Sequence, residues 1–228
     1  MQNFIINQGR IICLDTETTG VKTELGHKII EIGCIELIDL QPTGNNFHCY
    51  LNPQRQIDPG SFAVHGLSSD FLKDKKLFAD IVDSFLDYIS DSPLIIHNAN
   101  FDIGFLNYEL SLVNKNKIQN KVVDSITFAK HKFPGSPASL DALCKRFNIS
   151  LDDRTLHGAL IDSTLLSKVY INLCNASQDS VFNDNNTLSE DLMNSIKNQK
   201  LSSALLDAIK IIKPSESEVL IHQSFFKK

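Results

Sequence analysis

The sequence lacks tryptophan, long apolar runs and any excess of basic residues. No stretch approaches the ~20 apolar residues of a membrane span. The N-terminal MQNFIINQGR has three consecutive apolar residues, too few for a secretory signal. We therefore expect no membrane partner. The chain carries 22 Lys and Arg against 27 Asp and Glu, a net charge of −5 that argues against strong binding to nucleic acid without help.

The five cysteines are scattered and include no C-x-x-C pair, which argues against a zinc site. Cys13, Cys34 and Cys49 lie in apolar, strand-like runs, as expected for reduced core residues of a cytosolic protein. We therefore expect a cytoplasmic location. With 228 residues, 42% of them hydrophobic, the chain can bury a core of ordinary size.

Hydrophobic periodicity predicts an α/β domain, a mixed β-sheet flanked by helices, over residues 1–174. Three runs joined by short turn-prone segments indicate an antiparallel meander, and a loop, LNPQRQIDPGSFAVHGLSS, follows them. Asn100 is the predicted N-cap of a later helix. The predicted strands are 10–15, 29–38, 46–51, 94–98 and KVVDS. The predicted helices are a segment containing Leu77–Ile89, then 101–114, 125–132, 139–147 and 158–173.

After residue 174 the composition changes. Residues 175–189 are polar and rich in Asn, Ser and Asp, which predicts a flexible linker. Residues 190–228 contain the apolar stretches ALLDAIKII and VLIHQSFF. Such a tail either docks back on the domain or binds a partner, and we favour a partner.

Two acids end the apolar run of IICLDTETTG. Side chains in a strand alternate, so Asp15 and Glu17 point the same way. Two buried carboxylates side by side repel each other and lose hydration unless a cation lies between them. The alternative is a strand that runs into an ordinary solvated turn.

Two further acids are predicted to face inward from helices. Asp102 shares a helix face with Phe105 and Leu106, although a first-turn acid that complements the helix dipole is also common. Asp162 begins the apolar stripe that Leu165 and Leu166 continue. His157 can join Asp162 only if it precedes the helix, and Gly158 favours a break there.

These four carboxylates and one histidine suggest a metal-dependent reaction. Carboxylate oxygens with water are typical ligands of Mg²⁺ or Mn²⁺. Two such ions about 4 Å apart can activate a water molecule and stabilise the leaving oxygen of a phosphodiester. A nearby imidazole can accept the water's proton.

The segments LDTETTG, HNANFDIGF and HGALIDS resemble, in order, the three motifs of the DEDDh 3′–5′ exonucleases. Within that family GHKIIEIG, TGNNFHCYLNP, FAVHGL, SLDALCKRF and RTLHGAL are most similar to the epsilon, proofreading, subunits of bacterial DNA polymerase III. The likeness covers about residues 10–174 and implies an RNase H-like fold. It also implies that His157 is the general base and that two metal ions are held by four acids: Asp15, Glu17, Asp102 and Asp162.

The same resemblance implies a pocket for the terminal nucleotide. Its expected residues include Thr18, which follows Glu17 in the turn, and Phe101, which could instead belong to the core. His65 could instead only brace its own loop. Gly60 departs from the pattern, because close relatives often carry an acid there. The full predicted substrate set is Asp15, Glu17, Thr18, Val64, His65, Asn98, Phe101 and Asp162.

The remaining histidines are predicted to lie outside the site. His97 ends a strand and is expected to be structural. No cluster of reactive residues is predicted around the other four, which are His27, His48, His131 and His222.

The leading hypothesis is a proofreading exonuclease subunit that acts on a DNA 3′ end. By resemblance, the 190–228 tail would bind the alpha (polymerase) subunit, and further small subunits remain open. A DEDDh exoribonuclease that trims RNA ends is one alternative. A non-catalytic accessory subunit that stabilises the polymerase is the other.

Overall fold

A computed structural model of the chain describes residues 4–152 and 156–176. The predicted tail, nearly all of the predicted linker and His222 lie outside the described residues. The strands are β1 Arg10–Thr18, β2 Ile29–Ile38, β3 Gln41–Pro42, β4 Phe47–Tyr50, β5 Leu94–Ile96 and β6 Val122–Asp124. The helices are α1 Pro59–His65, α2 Ser69–Leu72, α3 Phe78–Ile89, α4 Ala99–Leu112, α5 Ser125–Lys132, α6 Leu140–Arg146 and α7 Ala159–Asn175.

The sheet is mixed, and β1 lies at its centre. Strand β1 pairs antiparallel with β2 and parallel with β5, while β6 extends the parallel side. Strands β3 and β4 both pair antiparallel with β2. The predicted meander of three long strands is therefore confirmed, with β3 as an additional two-residue strand.

Strand alternation divides the core into two layers. Ile11 and Cys13 of β1 face one layer, which contains α5, α6 and α7. Ile12 and Leu14 face the other, which contains α3 and α4. Successive side chains of β1 therefore contact different helices.

The segment predicted as one long loop contains helix α1 and ends at the first residue of helix α2. Helix α1 begins with Pro59 and ends at Gly66, whose φ of 69° permits the left-handed cap. Its Pro-Gly start is a typical turn signal and hid a helix of only seven residues. In α2 the Ser68 hydroxyl accepts a hydrogen bond from the Phe71 N–H and caps the first turn.

Two predicted boundaries are also wrong. Strand β1 continues to Thr18, so Asp15 and Glu17 lie within the strand and not after it. Helix α4 begins at Ala99 and is capped by Asn98, not Asn100. Asn98 adopts φ 68° and ψ 54°, a left-handed conformation that asparagine tolerates better than most residues. No described helix combines the length and apolar character that a membrane crossing requires.

Candidate active site

Helix α7 reaches the acids of β1 because β2 carries glycine beneath its first turn. A Cβ on Gly33 would lie 2.3 Å from the Ala159 carbonyl carbon, so any other residue would push the helix away. The Ser163 hydroxyl donates a 2.7 Å hydrogen bond to the Gly33 carbonyl and fixes the contact. Gly33 is the register partner of Asp15, so the start of α7 lies beside that acid.

Three of the predicted residues form one cluster of metal-binding type. Single ligand atoms of Glu17, His157 and Asp162 lie within 4.8 Å of one another. The Nδ1 atom of His157 is 2.9 Å from Oδ2 of Asp162. His157 lies immediately before the N-cap of α7, as predicted, and its N–H donates to the Val64 carbonyl at 3.1 Å. That hydrogen bond ties the histidine to helix α1.

Asp102 approaches from α4, on the opposite face of the sheet. It is 2% exposed, and its Oδ1 accepts hydrogen bonds from the Thr16 N–H at 3.0 Å and the Thr16 hydroxyl at 2.7 Å. Thr16 alternates with Asp15 and Glu17 along β1. Asp102 is therefore fixed against the same stretch of strand that carries the other two acids.

The electrostatics of the cluster are unfavourable without a cation. Burial raises the pKa of Asp15 well above its usual range, and the nearby charges of Asp102, Glu17 and Asp162 raise it further. Burial also raises the pKa of Asp102 to about 7, although the hydrogen bonds from Thr16 oppose the shift. Packed carboxylates of this kind are the donor set of a divalent-cation site.

A cleft of about 410 Å³ opens beside the cluster. Glu17 and Thr18 of β1 form one side, and Phe101 of α4 contributes a ring that also packs on Phe105 at 4.9 Å. Helix α1 forms the opposite wall and contributes Val64, which is 46% exposed. The predicted pocket residues Thr18, Val64, His65 and Phe101 all line this cleft. Asn98 does not line it; it remains exposed at the start of α4.

The buried side chain of His65 forms part of the wall of the cleft. Its Nδ1 accepts the Leu67 N–H at 3.0 Å, so the neutral ring carries its proton on Nε2. The side chain is 4% exposed, and Nε2 has no partner with hydrogen-bonding geometry in the described part of the chain. Burial lowers the pKa of His65, and the Thr18 backbone only partly opposes the shift. The residue therefore braces its loop from within the wall of the cleft.

Gly60 lies on the α1 wall with open space around it. A Cβ built there meets nothing within 4 Å. The cleft therefore has room for a side chain at this position.

Two histidines that were predicted to have no cluster around them do contact the site. His27 is 3% exposed, its Nδ1 lies 3.0 Å from the Thr19 hydroxyl and its Nε2 lies 3.3 Å from Oδ2 of Asp58. It also packs on Gly20, where a Cβ would lie 2.2 Å from the ring. His27 therefore connects the end of β1 to the start of α1.

His48 pairs with a fifth acid that sequence reasoning did not single out. Its Nε2 lies 2.8 Å from Oε1 of Glu31, which is 2% exposed and is the register partner of Glu17. The period-two pattern of IIEIG places Glu31 on a fixed face of β2, but only the register shows that this face is the acidic one. His97 contacts the Ser125 hydroxyl at 2.8 Å, in agreement with a structural role.

The comparisons with known proteins agree with this geometry. Residues 12–170 match the exonuclease family model. A DNA polymerase III subunit epsilon from Rickettsia felis is 46% identical over 222 residues, which cover 95% of each chain. The chain belongs to this exonuclease family. The Escherichia coli DNA polymerase III subunit epsilon is 48% identical over 181 residues, which cover 76% of this chain and 74% of that one.

Solved structures share the fold at lower identity. Exonuclease X in complex with 5′ overhanging duplex DNA has a TM-score of 0.60 and 24% identity, and the match covers 73% of this chain and 92% of that chain. The nuclease domain of 3′hExo, a DEDDh family member bound to rAMP, has a TM-score of 0.62 and 19% identity, with 74% and 92% covered. The predicted RNase H-like exonuclease fold is confirmed, as is the assignment to a metal-dependent nuclease family.

Proposed function

We propose that this chain removes mispaired 3′-terminal nucleotides from DNA as the proofreading subunit of a bacterial DNA polymerase III, which places it in the cytoplasm. The observation that carries the proposal is the convergence of Glu17, His157 and Asp162 within 4.8 Å, beside a nucleotide-sized cleft that Glu17 also lines. Asp15 and Asp102 adjoin this cluster. A complete set of reactive groups argues against the alternative of a non-catalytic accessory subunit.

The four acids would hold two divalent ions, Mg²⁺ or Mn²⁺. Their oxygens are the donors that these ions prefer, and burial raises the pKa of two of them, Asp15 and Asp102, so a bound cation would offset the cost of ionising these carboxyls. When bound, such ions lower the pKa of water and stabilise the charge that develops on the phosphodiester oxygens. Asp102 and Thr16 keep one part of this donor set rigid.

His157 would act as the general base. Its Nδ1 faces Asp162, which favours the tautomer in which Nε2 can accept a proton. The side chain is 47% exposed, so water can reach that nitrogen. Nε2 would take a proton from the attacking water as the bond between phosphorus and the 3′ oxygen of the preceding nucleotide breaks.

The cleft would hold the terminal nucleotide. Val64 and Phe101 would present apolar surface to the base, while Thr18 and His65 would line the rest of the wall beside the sugar. Asp15, Glu17 and Asp162 would meet the scissile phosphate through the ions. The proposal leaves Asn98 at the edge of the substrate path, since it does not line the cleft.

The deciding experiment uses the purified chain and end-labelled strands. We expect single-nucleotide release from DNA 3′ ends, faster from mispaired than from paired ends, only with Mg²⁺ or Mn²⁺. Matched RNA ends test the exoribonuclease alternative, and faster release from RNA than from DNA would favour it. No release from any strand with either ion would overturn the enzymatic proposal.

The partner of the C-terminal region is a second part of the proposal. Residues 190–228 would attach the chain to the alpha subunit, and a flexible linker such as 175–189 would supply an effective concentration of order mM. Truncation after Gln178 keeps α7 whole, because that helix ends at Asn175. The truncated chain should cleave short single strands normally and fail to co-purify with the alpha subunit. Undiminished co-purification would move the interface onto the nuclease domain.

A further inference from the structure

An exposed row of rings continues the acidic face of the sheet. The rings of His48 and Tyr50 lie 4.8 Å apart, and those of Tyr50 and Phe71 lie 5.0 Å apart. Both pairs meet edge to face. Phe71, on α2, is 43% exposed. We name these three residues the aromatic ladder.

Strand register connects the aromatic ladder to the catalytic acids. Glu17 of β1 pairs with Glu31 of β2, which pairs with Tyr50 of β4. Neighbouring strands lie about 4.8 Å apart, so Tyr50 is about 10 Å from Glu17 along the sheet. His48 occupies the parallel row that begins at Asp15 and passes through Gly33.

The ladder is only partly covered because α7 packs on β1 and β2 and begins over Gly33, so it does not extend over β4. Strand β4 lies beyond the helix, so the side chains of His48 and Tyr50 are only partly covered. Burial, and then the charge of Glu31, raise the pKa of Tyr50, which agrees with a ring that lies close to the site. The aromatic ladder is therefore continuous with the active site.

Lysines surround the far end of the ladder. The Nζ atom of Lys75 lies 4.3 Å from the centre of the Phe71 ring. Lys73 and Lys76 flank it in the sequence LKDKKL and are exposed. Lys73 makes only a 3.8 Å surface contact with Asp70. Three lysines against Asp70 and Asp74 leave this segment with a small positive excess in a chain of net charge −5, and a cation beside exposed rings is typical of a single-strand binding surface.

We propose that the aromatic ladder and Lys75 bind the unpaired bases and phosphates that precede the terminal nucleotide of the DNA strand. This proposal rests on the proposed nuclease function and adds a surface outside the cleft. Aromatic stacking accepts any base, which suits an enzyme that must act on every sequence. The surface would favour frayed ends, because bases in a duplex are already stacked on their neighbours.

The test separates the ladder from the catalytic cluster by substrate length. The substrates are the 4-nitrophenyl ester of thymidine 5′-monophosphate, which has no preceding base, and oligothymidylates of two, four and eight nucleotides. The full-length chain is compared with Phe71→Ala and Tyr50→Leu. Leu112→Ala is the matched control, because Leu112 is 48% exposed and lies at the end of α4.

We expect the ladder variants to raise KM for the four- and eight-nucleotide substrates about 5- to 100-fold, the range of one lost stacking contact. Their KM and kcat for the ester should stay unchanged, and Leu112→Ala should match the wild type on every substrate. Lys75→Gln should reduce the salt dependence of oligonucleotide binding by about one unit of log–log slope. An equal change for the ester and the oligonucleotides, or no change for either, would overturn the proposal.

Binding of 5′-labelled octathymidylate in Ca²⁺, followed by fluorescence anisotropy, gives a second readout that needs no turnover. Weaker binding by Phe71→Ala supports the ladder even if the wild-type chain hydrolyses nothing, a result that would overturn only the proposed nuclease function. Unchanged binding would reject the ladder as a DNA surface and leave it to a protein partner.

Discussion

The two ends of the central strands treat buried acids in opposite ways. At the start of β1, Arg10 donates from Nε to Oε1 of Glu36 at 2.5 Å. Thr43 and Asn45 donate to the same carboxylate at 2.6 and 3.1 Å. Burial favours the neutral acid, but these hydrogen bonds and the Arg10 charge lower the pKa of Glu36 overall.

At the other end of the same strand, Asp15 has acids as its main charged neighbours. The causes that raise its pKa are burial and the charges of Asp102, Glu17, Asp162 and Glu31. The paired strands β1 and β2 thus carry an acid whose charge is compensated, Glu36 on β2, and an acid whose charge is not, Asp15 on β1. The hydrogen-bonded Glu36 stabilises the fold, whereas the acids around Asp15 need a bound cation to compensate their charge.

The largest effect should come from Asp15→Asn, which keeps the shape of the side chain and removes its charge. Hydrolysis of the thymidine ester should fall to the detection limit with Mg²⁺ or Mn²⁺. The free energy of unfolding without metal should stay equal or rise, because repulsion with Asp102 and Glu17 is relieved. Activity assays and denaturant unfolding of the same preparation measure the loss of hydrolysis and the free energy of unfolding. Near-normal cleavage by this variant would refute the metal assignment.

His157→Ala should lower kcat about 10²- to 10⁴-fold, the range for loss of a general base. The histidine interacts with Asp162 but is proposed as a base and not as a ligand, so metal affinity should change little. The low-pH limb of the rate profile should disappear with the imidazole. Isothermal titration with Mn²⁺ separates the two roles, and a variant that no longer binds the ions would make His157 a ligand of the Glu17 and Asp162 cluster.

The stability of the metal-free protein should depend on pH through its acids. A carboxyl whose pKa is raised in the folded state binds more protons folded than unfolded, so its stabilising effect is lost as pH rises through the folded pKa. For Asp102 the window runs from its unfolded pKa, about 3.9, to about 7 in the folded chain. Stability should therefore fall across this range and recover on addition of Mg²⁺. Thermal unfolding of the wild type and of Asp102→Asn at several pH values, with and without the ion, isolates this contribution; an equal pH dependence of the two metal-free proteins would contradict it.

The direction in which each acid points could be predicted because each belongs to a local apolar pattern. Asp15 and Glu17 alternate along a strand that begins with an apolar run, and Asp162 begins a stripe that contains Leu165 and Leu166, so the direction of these acids follows from periodicity alone. The helix that carries Asp102 was also correctly assigned. These features are local, so they can be recognised in the sequence without knowledge of the fold.

The missed residues depend on contacts between distant segments. Glu31 belongs to the site only because β2 pairs with β1 in a register that sets it opposite Glu17. His27 belongs to it only because the ring packs on Gly20 and meets Asp58. Helix α1 was missed because its seven residues begin with a turn signal, although its wall completes the cleft. Register, close packing on glycine and short helices are decided by tertiary structure.

The smallest effect should come from Glu36→Gln, which tests the compensated end of the strand. The change removes the charge that Arg10, Thr43 and Asn45 satisfy, and should lower the free energy of unfolding by about 1 to 2 kcal/mol. Activity on the thymidine ester should be unchanged, because Glu36 lies on β2 opposite Ile12, whereas Asp15 pairs with Gly33 further along the sheet. The contribution of Glu36 should be present at neutral pH and be lost as pH falls through its lowered folded pKa, the opposite direction to that of Asp102. Denaturant unfolding of the variant and the wild type at pH 7 and pH 3.5 measures both. If the stability of Glu36→Gln equalled that of the wild type at pH 7, the hydrogen bonds at this end of the sheet would not stabilise the fold, and the contrast between the two ends would rest on the acidic cluster alone.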